Sequence, residues 1–273
     1  MTINCKGTLI DLSIPKVMGI LNITPDSFFD GGKYKNESDM LHQAEKMLTD
    51  GATFIDVGAY SSRPGAKHVS EEEELQRIVP VVELLIDEFP KIIISSDTFR
   101  AKVAKETIAA GAAIINDISG GNMDAQMFET VAKFQVPYIL MHMQGIPQNM
   151  QQNPAYENVT TELISFFSKK INELISLKLT DIIIDVGFGF GKTTEHNFQL
   201  LKELAYFKNL QVPILAGISR KSMLYKTLDI SAQEALNATT SANTIALLNG
   251  ANILRVHDVK EAVQSVKIVE QVL

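Results

Sequence analysis

Short apolar runs alternate with amphipathic stretches along almost the whole chain. Three segments repeat this order closely. They are "GATFID" (51–56), "GAAIIN" (111–116) and "GANILR" (250–255), and each follows an amphipathic stretch. This order is typical of a helix that ends at a glycine and leads into a buried strand. The runs are nearly continuous in Val, Ile and Leu, which indicates parallel strands covered by helices on both faces.

The pattern predicts eight strands. They lie at 17–22, 53–57, 92–97, 113–117, 137–142, 182–186, 213–218 and 252–256. Eight strand-helix repeats in 273 residues predict an α/β fold, the (β/α)8 barrel, as a single domain over residues 1–273. A doubly wound open sheet is the alternative, and the barrel is favoured because polar residues close nearly every strand. Residues 3–14 precede the first strand and predict a small hairpin at the bottom of the barrel.

Composition narrows the classes of function. The chain is 45% hydrophobic and 21% charged, with a net charge of −7, and this acidic balance argues against a nucleic-acid partner, whose phosphates need a basic face. The single Cys5 cannot form an internal disulfide, and the N-terminal residues lack the layout of a secretion signal, so we expect a cytoplasmic protein. No apolar stretch is long enough to span a bilayer, so no membrane partner is expected.

Polar side chains close the predicted strands. They are Asn22, Asp56, Asp97, Asn116, His142, Asp185, Lys221, Arg255 and His257. In a barrel these ends meet on one face, where active sites lie. Taken singly, Asp56 could bind neighbouring backbone and His142 could be a packing histidine. Taken together, the set suits a flat heterocycle rich in hydrogen-bond donors and acceptors.

The stretch "DVGFGFGKTTEHN" (185–197) looks like a nucleotide-binding loop. The phosphate-binding pattern needs four residues between its first glycine and its Gly-Lys, but only three separate Gly187 from Gly191. The dinucleotide pattern fails as well, because Gly191 follows Gly189 too closely. These glycines therefore indicate a tight turn beside a ligand other than ATP or NAD.

Two long polar segments follow the first two strands, at 22–38 and 58–70, and loops of this length are commonly functional. The run "SEEEE" (70–74) predicts a capping box of Ser70 and Glu73 at the solvated start of a helix. Arg63, Arg255 and His257 are candidate ligands for a phosphate or diphosphate.

A divalent metal ion, Mg²⁺, is expected beside the anion, with Asn22 and Asp26 as protein ligands. The sequence contains neither a HExxH motif nor a cysteine pair, so zinc chemistry is not expected.

Seven stretches in one order resemble the dihydropteroate synthase family of folate biosynthesis. They are "MGILNITPDSFFDGG", "SSRPGA", "SSDTFRAKVA", "AGAAIINDISGG", "IIIDVGFGFGKTTEHNFQLL", "LAGISRKSML" and "NGANILRVHDVKEA". They run from residue 18 to about residue 263, nearly the whole chain. The resemblance implies a (β/α)8 barrel, a homodimer and a transferase. Its reaction joins a dihydropterin-methyl diphosphate to p-aminobenzoate and releases pyrophosphate.

The resemblance also implies roles for individual residues. The pterin would be held by Asp97, Asn116, Met141, Asp185, Lys221 and Arg255. The diphosphate would be held by Asn22, Arg63, Arg255 and His257, with Mg²⁺ on Asn22 and Asp26. The p-aminobenzoate pocket would be built from Phe28, Ser62, Pro64, Phe190 and Ser219. The residues closest to the chemistry would be Asp97, Asp185, Lys221 and Arg63.

A step in which the C–O bond ionises first is reasonable, because the resulting cation is delocalised over an electron-rich ring. An arylamine is neutral at pH 7 and already nucleophilic, which explains why no nucleophile-histidine pair stands out. The sequence departs from the family at Tyr60-Ser61-Ser62, where most members have Glu-Ser-Thr. This departure bears on the p-aminobenzoate pocket and on sulfonamide affinity.

Two other functions fit the same strand-end residues. One is a methyltransferase domain that passes a methyl group from a folate to a corrinoid protein, without a need for the diphosphate cations. The other is a pterin-binding protein without catalysis. Pyrophosphate release distinguishes the synthase from both.

Overall fold

The computed structural model describes residues 1–23, 33–60, 69–147, 150 and 153–272. Strands and helices alternate along this part of the chain after an initial pair of strands. The strands are β1 (Thr2–Cys5), β2 (Thr8–Asp11), β3 (Lys16–Asn22), β4 (Phe54–Gly58), β5 (Ile94–Asp97), β6 (Ile114–Asp117), β7 (Tyr138–Met141), β8 (Ile182–Asp185), β9 (Ile214–Ala216) and β10 (Ile253–Val256). The helices are α1 (Lys33–Thr49), α2 (Glu71–Glu88), α3 (Ala101–Ala110), α4 (Met127–Phe134), α5 (Val159–Ser176), α6 (Thr194–Lys202), α7 (Ser222–Leu228), α8 (Leu236–Leu248) and α9 (Val259–Val269), with a 3₁₀ helix at Leu204–Leu210.

Within the described ranges, β3 to β10 form a closed parallel barrel in the order β10-β3-β4-β5-β6-β7-β8-β9. β10 pairs with both β3 and β9, which closes the sheet. The predicted (β/α)8 barrel is therefore confirmed, and the open sheet is excluded. Because side chains alternate across each strand, Phe54 packs inside the barrel, whereas Ile55 and Val57 pack against the helices outside.

The N-terminal segment closes the bottom of the barrel, as predicted. β1 and β2 form an antiparallel hairpin. Its buried residues Ile3, Cys5 and Leu12 pack against interior residues such as Met18 and Phe54. Each large apolar side chain that is fully buried in this way contributes about 1.5–3 kcal/mol. The apolar lower half leaves the opposite end of the barrel for polar residues.

Two details of the sequence interpretation were wrong. Helix α1 begins at Lys33, so the first polar segment ends sooner than the predicted 22–38, because no helix breaker follows Gly31-Gly32. Glu74 was expected to be solvated but is completely buried. It lies on the same face of α2 as Ile78 and Val81, which the helical repeat places against the barrel.

The predicted capping box is half formed. Ser70 accepts a hydrogen bond from the backbone N–H of Glu73, but the Glu73 carboxylate pairs with Arg77. None of the helices in the described ranges combines the length and apolar content that crossing a membrane requires.

Candidate active site

Five polar residues form a layer at the C-terminal ends of the barrel strands. Each stands two positions after an interior residue, so strand alternation points it into the barrel. This interior polar layer consists of Asp56, Asp97, Asn116, Asp185 and Arg255. The convergence that the sequence predicted for these residues is therefore present.

Arg255 connects two carboxylates of the interior polar layer. Its Nε lies 2.6 Å from Asp56 Oδ2, and its Nη2 lies 2.7 Å from Asp97 Oδ2. Asn116 donates to the same Asp56 oxygen at 3.0 Å. Asp56 thus binds side chains from two other strands and not the neighbouring backbone. The other oxygen of Asp56 is buried without a hydrogen-bond partner among the described residues, so this corner of the site can accept a further donor.

The electrostatics of this group follow from its burial. Burial raises the pKa of Asp97 to about 7, although Arg255 acts in the opposite direction. Burial also opposes the charge on Arg255, but Asp56 and Asp97 outweigh it, so the Arg255 pKa lies above its ordinary value. The guanidinium remains charged at all accessible pH values, while Asp97 titrates near neutrality.

Asp185 and Lys221 form the opposite part of the site. Asp185 Oδ1 accepts the backbone N–H of Gly187 at 2.8 Å. A methyl group built on Gly217 would lie 3.6 Å from Asp185 Oδ2 and 3.9 Å from Lys221 Nζ, so both groups flank the space above Gly217. Burial raises the pKa of Asp185, against the effect of Lys221, and lowers the pKa of Lys221 to about 8.

An apolar cluster lies beside these polar groups. Its buried members are Phe99, Ile118, Met141, Met143 and Met150, with Tyr60 and Phe190 packed against them. Lys221 Nζ lies 4.7 Å from the centre of the Phe190 ring, within the range of a cation-π contact. Hydrogen-bonding groups next to an apolar wall suit a flat aromatic ligand with a polar edge.

Ser219 and His257 meet at the exits of β9 and β10. Ser219 Oγ lies 3.1 Å from His257 Nδ1, and the backbone N–H of His257 donates to Ser219 Oγ at 3.2 Å. His257 is exposed, whereas Ser219 is buried. The two residues therefore link the C-terminal ends of the neighbouring strands β9 and β10.

Asn22 ends β3 and is the one predicted metal ligand within the described residues. Its side-chain amide makes no hydrogen bond with another described residue and is half-buried. The described part of the chain contains no group of three His, Cys, Asp or Glu side chains that could enclose a metal. An oxygen donor of this kind fits a Mg²⁺ ion that takes most of its ligands from substrate and water.

Five of the residues predicted for the site lie outside the described residues. They are Asp26, Phe28, Ser62, Arg63 and Pro64. Their predicted roles stay predictions. The last described residues before them, Ile23 and Tyr60, follow the C-terminal ends of β3 and β4.

Three buried polar residues beside the site were missed from the sequence. Lys192, which completes the apparent nucleotide motif, is 3% exposed. Asp117 accepts the Tyr138 hydroxyl at 2.6 Å, and Glu74 pairs with Arg100. His142 is half-buried and hydrogen-bonded to Lys192, as expected of a packing histidine. Thr193 caps α6, so neither half of the Lys192-Thr193 pair is free for a phosphate.

Comparison with known proteins gives consistent matches over the whole chain. A family described as "Pterin binding enzyme" matches residues 18–257. The chain is 44% identical to the dihydropteroate synthase of Escherichia coli K12, over 100% of this chain and 97% of that protein. A Yersinia pestis dihydropteroate synthase bound to a sulfonamide drug superposes with a TM-score of 0.93 at 44% identity, covering 100% of this chain and 99% of that one. The Xanthomonas albilineans dihydropteroate synthase in complex with 7,8-dihydropteroate gives a TM-score of 0.89 at 33% identity, with coverage of 100% and 98%.

Proposed function

The chain belongs to the dihydropteroate synthase family of pterin-binding enzymes, and we propose that its barrel mouth condenses 6-hydroxymethyl-7,8-dihydropterin diphosphate with p-aminobenzoate. The products are 7,8-dihydropteroate and pyrophosphate, as in folate biosynthesis. The observation that supports this most strongly is the interior polar layer beside Lys221, in a chain that aligns end to end with enzymes of this activity.

The pterin-binding assignment rests on matching donors and acceptors. The Asp185 oxygen next to Gly217 can accept hydrogen bonds from the amino group and ring N–H of a pterin, while Lys221 can donate to the carbonyl or ring nitrogen. Asp97 and Asn116 can bind the remaining ring edge. Arg255, fixed by two carboxylates, offers a flat guanidinium against the ring face. Met141 completes the apolar wall.

The diphosphate is assigned to the cations and the amide at the rim, namely Asn22, Arg63, Arg255 and His257. Arg255 uses Nε and Nη2 for its carboxylates, which leaves Nη1 without a hydrogen bond to the described residues. It can therefore contact both the ring and the first phosphate. Asn22, with Asp26, is proposed to bind Mg²⁺, which would supply charge neutralisation of the departing diphosphate.

The p-aminobenzoate pocket is assigned to Phe28, Ser62, Pro64, Phe190 and Ser219. Phe190 follows β8 and Ser219 follows β9, the next strand of the barrel. A ring of this size can pack on Phe190, while the Ser219 hydroxyl provides a polar contact for the carboxylate end of the substrate.

The chemistry requires stabilisation of separated charge more than proton transfer. When the C–O bond breaks, positive charge spreads over the pterin, and the Asp97 and Asp185 carboxylates of the proposed pterin site would stabilise it. Arg63, Arg255 and His257 would stabilise the leaving diphosphate. The neutral arylamine then attacks the methylene carbon and loses a proton to solvent. No side chain has to act as a strong base.

A single domain, a homodimer and a cytoplasmic location are proposed together with this function. The barrel closes through β10 and β3, near the two ends of the chain, which supports residues 1–273 acting as one domain. A homodimer is proposed, and the exposed apolar residues Leu228, Ile245 and Leu248 on the neighbouring helices α7 and α8 support a protein contact there. The single cysteine supports a cytoplasmic enzyme.

An assay of pyrophosphate release tests the proposed function. The wild-type protein should release pyrophosphate only when both substrates and Mg²⁺ are present. Asp185→Asn and Arg63→Ala should each lower kcat/KM by about 100-fold or more, because each removes a charge that matters most in the transition state. Pterin binding without turnover would instead identify a non-catalytic protein. Methyl transfer from a folate would identify the methyltransferase alternative.

A further inference from the structure

Lys192 has a buried ammonium group for which the reaction described above has no use. Its Nζ lies 3.1 Å from His142 Nδ1, 3.2 Å from the His142 carbonyl oxygen and 3.0 Å from the Phe190 carbonyl oxygen. An ammonium group has three protons, so these three acceptors satisfy it completely. A charged side chain at 3% exposure is costly unless such partners hold it in one place, and burial lowers the pKa of Lys192 to about 7; the amino group is a donor to these acceptors in either form.

The contacts of Lys192 join two separate strand exits. His142 directly follows β7, and Phe190 lies in the glycine-rich turn between β8 and α6. The turn is packed tightly on the β7 exit, since a methyl group on Gly187 would lie 2.0 Å from the His142 carbonyl oxygen. Tyr156 adds a hydrogen bond of 2.8 Å to the Gly191 carbonyl. Lys192 thus fixes the position of the turn at Phe190, whose ring packs against the apolar cluster of the site.

Phe190 is held from two sides. Lys192 binds its backbone carbonyl, and Lys221 lies over its ring. Lys221 is itself fixed by a hydrogen bond to the Phe188 carbonyl in the same turn. If the bonds to Lys192 are lost, the Phe190 carbonyl and the His142 acceptors lose this donor in a partly buried place. The turn then has to rearrange to satisfy them.

We propose that Lys192 is a positioning residue for the second substrate, because it fixes the Phe190 ring against which p-aminobenzoate packs. This inference rests on the proposed function and assigns a role to the lysine of the apparent nucleotide motif. Lys192 makes no hydrogen bond to the interior polar layer, whose members are held by Arg255 and by Gly187. Its effect should therefore be larger on p-aminobenzoate binding than on pterin binding, because Lys192 bonds Phe190 directly and reaches Asp185 and Lys221 only through the Gly187 and Phe188 contacts of the turn and through a longer-range electrostatic interaction.

Steady-state kinetics of Lys192→Met test the proposal. Methionine keeps the length and much of the volume of the side chain but has no donor. The expected result is a rise of about tenfold or more in KM for p-aminobenzoate, with KM for the pterin diphosphate changed by less than about threefold. Lys202→Met, which removes an exposed lysine from α6, is the matched control and should change neither KM.

Two outcomes overturn the proposal: an unchanged KM for p-aminobenzoate, or an equal rise in both KM values, which indicates general loosening of the barrel. If Lys192→Met fails to fold, His142 provides the second test. His142→Asn keeps a side-chain acceptor, whereas His142→Phe keeps a ring against Phe166 without an acceptor. The proposal requires a higher KM for p-aminobenzoate in the Phe variant, and equal values in the two variants contradict it. Failure of the proposed function is distinguishable, because the wild-type protein would then release no pyrophosphate.

Discussion

Arg255 Nη2 lies 2.7 Å from Asp97 Oδ2, so one ion pair spans the barrel mouth from β10 to β5 across two intervening strands. The two residues are 158 positions apart in the chain. The Asp97 carboxylate is half-buried, and the attraction of the guanidinium offsets part of the cost of desolvating its charge.

The pH dependence of pterin binding should reflect the ionisation of Asp97 and its attraction to Arg255. Asp97 has a pKa raised to about 7, and its ionised form accepts the ring N–H, so affinity should fall as the pH drops below about 7. Removing the cation raises the pKa of Asp97 further, so Arg255→Met should move the midpoint to higher pH. Titration calorimetry with the dihydropterin between about pH 6 and about pH 9 measures both midpoints. Asp97→Asn has no ionisable group at this position and serves as the control. A common midpoint for the wild type and Arg255→Met would refute the assignment.

Stability should depend strongly on Arg100. Its guanidinium pairs with the completely buried Glu74 and donates to the Val69 carbonyl at 2.7 Å. Arg100→Met leaves the Glu74 carboxylate buried without a cation, which should cost about 3–5 kcal/mol in the free energy of unfolding. Lys102→Met removes a partner of Glu71 in an exposed pair and should cost less than about 1 kcal/mol. Urea unfolding compares the two variants, and similar losses would show that burial of Glu74 is not what matters.

The glycine-rich turn should not tolerate a side chain at Gly187. This residue has φ +67°, and an added methyl group would overlap the His142 carbonyl. Gly187→Ala should therefore displace the turn and lower the free energy of unfolding by more than about 3 kcal/mol. This loss exceeds the cost of the left-handed backbone conformation by itself, because the methyl group also overlaps the carbonyl. Gly7→Ala has a similar backbone strain, φ +90°, but open space around it, so it should cost only about 1–2 kcal/mol. Thermal unfolding compares the two variants. If Gly187→Ala is no less stable than Gly7→Ala, the turn is not packed on the exit of β7.

Sulfonamide response should depend on Ser62, a prediction made from the sequence because Ser62 lies outside the described residues. The family usually has threonine there, so Ser62→Thr adds one methyl group to the p-aminobenzoate pocket. The inhibition constant of a sulfonamide should change more than the dissociation constant of the pterin. Equal changes in both constants would remove Ser62 from that pocket.

The sequence predicted the barrel and the interior polar layer because both depend on short-range patterns. Strand alternation places Asp56 two residues after Phe54, and Asn116 two after Ile114, without knowledge of the partners. The pairing of Arg255 with Asp56 could not be predicted from local spacing, since 199 positions separate them.

Glu74 was missed because four consecutive acidic residues look solvated, and only the phase of the helix distinguishes the buried one. Lys192 was missed for a related reason. Its acceptors include backbone carbonyls of His142 and Phe190, and carbonyl groups leave no mark in the sequence. Residues that serve the site through other residues were therefore harder to predict than residues that point into it.

Titration of the dihydropterin ring into the wild-type protein and into Asp185→Asn tests most directly whether this barrel mouth binds a pterin. Asparagine keeps the size of the side chain but replaces one acceptor oxygen by a donor facing the ring N–H groups. The expected result is a dissociation constant raised about 30-fold or more, with the folded state intact by circular dichroism. A dissociation constant within about threefold of the wild-type value would show that Asp185 does not hold the pterin, and would contradict the assignment of this site.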